Sequence, residues 1–111
     1  MNTIFFYGYR DASNYKTHHA VVLSGTLTEE EIAEIRGCAD EGIYFIPEQV
    51  GLPHELPGEI CSDDHCWCYF YDDMDFEQTD LDPEYGSVHD LLNAFRLAKN
   101  NWQPEKYNPL Y

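Results

Sequence analysis

Leu27-Thr28-Glu29-Glu30-Glu31-Ile32-Ala33-Glu34-Ile35-Arg36-Gly37-Cys38-Ala39 decides the fold class, because it spells a helix between runs that read as strand. Thr28 is an N-cap, and Glu31 three residues on completes a capping box. Leu27 before the cap and Ile32 inside the helix supply the hydrophobic staple that accompanies such a box. Glu29, Glu30 and Glu31 occupy the first turn, where the helix dipole favours negative charge. This glutamate run therefore has a sufficient structural explanation and is not read as a binding site. Ile32, Ile35 and Ala39 give the buried face, and the helix is expected to stop near Gly42.

Upstream, Ile4-Phe5-Phe6-Tyr7-Gly8-Tyr9 is β-branched and aromatic and reads as a strand, and His19-Ala20-Val21-Val22-Leu23 as its antiparallel neighbour. Downstream, Gly42 to Ile46 is a short extended segment ended by Pro47, and residues 47–64 are loop-like, punctuated by proline and glycine. His65 to Tyr71 reads as a further strand, whose alternation puts Cys66, Cys68 and Phe70 on one face and Trp67, Tyr69 and Tyr71 on the other. Both faces are bulky, as in a central strand covered on both sides or one whose aromatic face meets a partner. Asp72 to Glu84 is an acidic connector. Ser87 then caps a second helix, in which Val88, Leu91, Leu92, Phe95, Ala98 and Trp102 follow helical spacing. The tail from about residue 103 reads as irregular. The order β-β-α-β-β-α predicts one α+β domain over residues 1–111, with a mostly antiparallel sheet of about four strands and two helices.

At 111 residues, with 43% hydrophobic and 15% aromatic side chains, such a domain can close a core without disulfides. The start lacks a basic n-region, no stretch is long and apolar enough to span a membrane, and the four cysteines are crowded rather than spread as a framework. A soluble, cytoplasmic protein with reduced thiols is expected.

Charge is the strongest global feature. Twenty-one acids stand against six Lys and Arg, a formal charge of −15. Between Arg36 and Arg96 there is no Lys or Arg, while fifteen acids fall there. Direct binding to nucleic acid or an anionic membrane would be repulsive, since cationic side chains hold those partners. A basic protein, or one that itself grips nucleic acid, is the electrostatically natural partner. The plainer reading is that the acidity keeps the protein soluble.

Cys61-Ser62-Asp63-Asp64-His65-Cys66-Trp67-Cys68 gathers metal-ligating side chains. Its thiols run C-x4-C-x-C, without the paired C-x-x-C of structural zinc sites. Cys61, Cys66 and Cys68, with His65, Cys38 or a distant histidine, form the candidate set for zinc; the alternative is that Cys66 and Cys68 are small core hydrophobes. A Cys–His nucleophile lacks an orienting third group, and nearby carboxylates would raise a thiol pKa. Asp73, Asp75, Glu77 and Glu84 imitate a calcium loop, but Gln78 stands where that loop needs glycine. The adjacent pair His18 and His19 points to opposite sides of its strand, and Arg10 reads as an ion-pair partner for a carboxylate such as Asp11.

Three segments, Tyr9-Arg10-Asp11-Ala12-Ser13-Asn14-Tyr15-Lys16, Phe45 to Pro53, and Asp63-Asp64-His65-Cys66-Trp67, together resemble a group of small acidic bacterial proteins with Y-R-D-x-x-N-Y-K and D-D-H-x-W motifs and no assigned activity. If such proteins share a functional surface, the resemblance implies Arg10, Asp11, Asn14, Tyr15, Lys16, Asp63, Asp64, His65 and Trp67. Members of that group tend to carry histidine where this chain has Cys68.

The expected function is a non-enzymatic interaction protein that binds a basic or nucleic-acid-handling protein, one version being a DNA mimic of anti-defence type. Its interaction surface would add Asp72, Asp73, Asp75 and Glu77 from the acidic connector to Arg10, Asp11, Asn14, Tyr15, Lys16, Asp63, Asp64 and Trp67. The alternatives are a small metal-binding or redox protein using Cys61–Cys68, an enzyme of unrecognised type around His65, Asp63 and Asp64, and a homo-oligomeric subunit held by the aromatic strand face.

Overall fold

The sheet is built around β1 (Asn2–Arg10), which pairs along its whole length with β2 (Lys16–Leu23). The computed structural model describes residues 1–54, 56, 61, 62, 64–71 and 75–109. All strand pairs are antiparallel, and β1 lies between β2 on one side and β4 (Cys68–Tyr69) and β5 (Phe76–Thr79) on the other. β3 (Tyr44–Phe45) extends the sheet beyond β4. The expected α+β class and mostly antiparallel sheet are present, with five strands among the described residues. No helix among the described residues is long and apolar enough to cross a membrane.

β5 was expected to be part of a loop. Gly8 pairs with Tyr69 and Phe5 with Phe76, so the three-residue step along β1 is matched by seven residues on the facing chain. β4 and β5 thus pair with the same edge of β1, with four more residues between their pairing positions than β1 has. Asp75 precedes β5: its backbone carbonyl accepts the Phe6 N–H at 2.7 Å, and its carboxylate accepts the Tyr71 N–H at 2.9 Å. That carboxylate is fully buried and pairs with Arg36 at 2.8 Å. Asp75 is therefore an internal anchor and not part of an acidic surface.

Phe5, Tyr7 and Tyr9 project from one face of β1 into the core, each fully buried. Both long helices contribute to the same hydrophobic cluster. In α1 (Glu29–Cys38) the capping box is complete: Glu31 N–H donates to Thr28 Oγ1 at 3.1 Å, and Thr28 N–H to Glu31 Oε1 at 2.9 Å. The helix ends four residues short of Gly42, because Ala39 is extended and Glu41 and Gly42 follow with φ of 56° and 70°. Ile43 N–H donates to Asp40 O across them at 3.1 Å, the pattern of a type I′ turn that reverses the chain into β3. Such a turn forces a left-handed backbone on a glutamate, a conformation that L residues other than Asn, Asp and Gly adopt at a cost.

α2 (Val88–Ala98) begins at Ser87, whose hydroxyl accepts the Asp90 N–H at 3.0 Å, and buries Val88, Leu91, Leu92, Phe95 and Ala98. Trp102 follows the helix rather than ending it; its indole N–H donates to Cys38 O at 3.1 Å, satisfying a terminal carbonyl of α1. The tail also forms one helical turn, α3 (Pro104–Tyr107).

The outer sheet face is half-buried along β1, at Asn2, Ile4 and Phe6. Gly8 sits at its centre, where a Cβ would lie 2.7 Å from Tyr69 Cζ and 2.9 Å from Tyr71 Cε1, so only glycine lets those rings cross β1. The expected alternation from Cys66 to Tyr71 is present, with Cys66, Cys68 and Phe70 buried and Trp67, Tyr69 and Tyr71 half-buried or exposed. Only Cys68 and Tyr69 pair as strand.

Candidate functional site

Tyr9, at the end of β1, joins two of the segments singled out in sequence. Its hydroxyl donates to Asp64 Oδ1 at 2.7 Å and accepts the His65 N–H at 3.1 Å. Burial, followed by the hydrogen bond to Asp64, pushes the Tyr9 hydroxyl well above its ordinary value, so it remains a donor. Burial also acts to raise Asp64, but the bonds from Tyr9 and the Cys61 N–H outweigh it and hold the carboxyl below its ordinary value.

His65 is used on both nitrogens. Nδ1 accepts the Trp67 N–H at 3.1 Å, which leaves Nε2 to donate to Arg10 O at 2.7 Å. The ring is a strut that ties the 64–67 segment to the end of β1, with both nitrogens engaged in hydrogen bonds.

Around this junction lies a cleft of about 530 Å³ on the outer sheet face. Trp67 and Tyr69 form one wall with His65; Ile43 and Tyr44 from β3 form another. Asp40 and Glu41, from the turn between α1 and β3, also line it, as does Arg10, whose Cζ lies 6.0 Å from the Tyr69 ring centre. Register puts Tyr44 and Tyr69 directly opposite on the outer face. Tyr44 keeps 41% of its surface exposed, so its ring is available to a ligand.

The other expected site residues distribute differently. Asp11 does not pair with Arg10, which makes no ion pair among the described residues; Asp11 Oδ1 accepts the Ser13 and Tyr15 N–H groups, each at 2.9 Å, and Asn14 takes a positive φ of 70°. These residues shape the β1–β2 hairpin, with Asp11 buried and Asn14, Tyr15 and Lys16 exposed. Asp64 is buried as well, and Glu77 is exposed on β5. Asp63, Asp72 and Asp73 lie outside the described residues.

Cys61, Cys66 and Cys68 do not converge. Cys66 and Cys68 are buried, and Cys61 is exposed. Burial pushes the Cys66 thiol up to about 11 and Cys68 higher still. Cys68 Sγ lies 3.5 Å from Nδ1 of His54, whose Nε2 donates to His65 O at 2.8 Å, so the thiol donates to a neutral imidazole. His54 is lowered chiefly by burial, which favours that same neutral pair over a thiolate–imidazolium. Among the described residues, one donor group comes together, Asp11, Cys61 and Asp64 within 4.8 Å. Both of its carboxylates already accept backbone or hydroxyl hydrogen bonds within their turns.

Sequence reasoning found Arg10, His65 and Trp67 but missed the other side of the cleft. Tyr69 was visible in the strand alternation; Asp40 and Glu41 were read as a helix end, although Glu41-Gly42 carries a turn signal. No protein-family model, curated protein or solved structure matches the chain.

Proposed function

We propose that this chain is a non-enzymatic interaction protein whose acidic surface receives a basic protein partner. The observation that carries the reading is the disposition of its few cations. Arg36 is spent on buried Asp75 and Arg96 on Glu34, leaving many exposed carboxylates without an ion pair among the described residues. Glu77, Asp80, Asp82 and Glu84 follow one another along β5 and the connection to α2, all exposed. Unneutralised carboxylates at this density attract a cationic surface over roughly a Debye length, about 8 Å at physiological salt, and repel nucleic acid. A protein that itself handles nucleic acid is the natural class of partner, because its binding face is already basic.

The test is capture on the immobilised chain at low salt, with identification of what is bound. The expected result is a basic protein held in fixed stoichiometry and released as salt is raised. A column that stays empty at low salt, or that holds only acidic or neutral proteins, refutes the reading.

A further inference from the structure

We propose that the cleft beside β4 is an arginine-recognition site, taking a guanidinium of the partner between the rings of Tyr44, Trp67 and Tyr69 and the carboxylates of Asp40 and Glu41. The inference rests on the acidic-binding reading and gives it a defined point of contact. Three observations converge on it. The cleft, at about 530 Å³, falls within the roughly 300–1,000 Å³ typical of ligand sites. Its lining of aromatic side chains and two acidic residues suits a planar cation, which stacks on a ring and pairs with an acid at once. An anion would face Asp40 and Glu41, and a purely apolar group would desolvate them without a partner.

The same chemistry is already used once in full in this chain, and its ring half a second time. Arg36 lies 5.3 Å from the Phe70 ring centre while its guanidinium pairs with Asp75 at 2.8 Å. Arg10 lies over the Tyr69 ring at 6.0 Å. The wall of the cleft therefore accepts a guanidinium in this geometry. Arg10, being a like charge beside the incoming one, sets a sign test: an arginine ligand gains, or loses nothing, when Arg10 is removed, whereas an anionic ligand loses its main attraction.

The experiment is an amide NMR titration of the isotopically labelled full chain with acetyl-Gly-Arg-Gly-amide, and with its lysine, citrulline and glutamate counterparts. The arginine peptide should give saturable shifts confined to Glu41, Tyr44, Trp67 and Tyr69. Lysine should bind more weakly, because it lacks the planar fork, and neutral citrulline about tenfold more weakly. Glu41→Gln, on an exposed turn, should weaken the arginine peptide about threefold or more while keeping the native spectrum, and Arg10→Ala should leave it equal or tighter. The proposal is overturned if citrulline or glutamate shifts the same residues as strongly, if Arg10→Ala weakens binding, or if the arginine peptide leaves the cleft unshifted. Shifts confined to Glu77, Asp80, Asp82 and Glu84 would sink the arginine site yet leave the acidic-surface reading standing, which the capture experiment tests separately.

Discussion

Removing the guanidinium from Arg36 should be far more damaging than removing the charge from its partner. Asp75 has no exposed side-chain surface, while the Arg36 side chain keeps 25%. In Arg36→Met the apolar stem can still cover the Phe70 ring, but the buried Asp75 carboxylate loses its counter-charge. Stripping one partner from a buried pair costs about 3–5 kcal/mol. In Asp75→Asn the amide oxygen can still accept the Tyr71 N–H, and the Arg36 guanidinium is exposed enough to reach water, so the loss should be about 1–2 kcal/mol. The double variant Arg36→Met/Asp75→Asn removes both charges and should recover much of the loss seen in Arg36→Met.

Urea denaturation of the four proteins at neutral pH measures this. With a slope of about 1.5 kcal/mol/M the midpoint of Arg36→Met should fall by about 2–3 M, and that of Asp75→Asn by about 1 M. A domain of this size holds about 5–15 kcal/mol in total, so the loss in Arg36→Met is a large fraction of its stability and that in Asp75→Asn a small one. Equal losses in the two single variants, or a double variant no better than Arg36→Met, would refute the claim that Asp75 is an internal anchor whose charge needs Arg36.

Glu41→Asn should raise stability by roughly 0.5–1 kcal/mol, since asparagine tolerates the left-handed turn position better, and the urea midpoint should rise even as arginine binding weakens. His54 is lowered by burial, so its contribution is complete above the ordinary histidine value near 6.5 and is lost as pH falls from there through the lowered native value. The urea midpoint should therefore decline below about pH 6.5, by up to about 1.4 kcal/mol per pH unit; His54→Gln should lack that component, and an identical pH profile in the variant would count against it. Thiol titration of the native protein should find Cys61 reacting promptly and Cys38, Cys66 and Cys68 only on unfolding, because burial keeps all three protonated; prompt reaction of Cys68 would contradict its bond to His54.

What the sequence made legible was local chemistry. Both long helices announce themselves by their caps, because a hydroxyl three residues before an acid satisfies backbone donors whatever the tertiary context. β5 was hidden because Phe76-Glu77-Gln78-Thr79 is polar and lies within an acid run; it is a strand because β1 offers it hydrogen bonds, not because its side chains alternate. Asp75 was hidden for the same reason. Among seven acids in one connector nothing local marks it as the one that turns inward to an arginine of α1. The cleft was half visible: the resemblance directed attention to Arg10, His65 and Trp67, while Asp40, Glu41 and Tyr44 reach it through a turn whose geometry depends on β3 joining β4.

Acidity for its own sake and acidity for a partner make different demands on the same residues. If solubility were all, any exposed carboxylate could be exchanged for another, and the left-handed position at 41 would do better with glycine or asparagine. Glu41 and Glu77 are acidic residues at exposed positions, but of the two Glu41 is the one that lines the cleft. Neutralising either should weaken long-range attraction to a basic surface to a similar degree, since that attraction depends on the summed field. Only the loss of Glu41 should loosen the grip on a single arginine. The two segments locked together through Tyr9, Asp64 and His65 are what make that distinction structural, because they hold Trp67 and Arg10 where the turn bearing Glu41 can meet them.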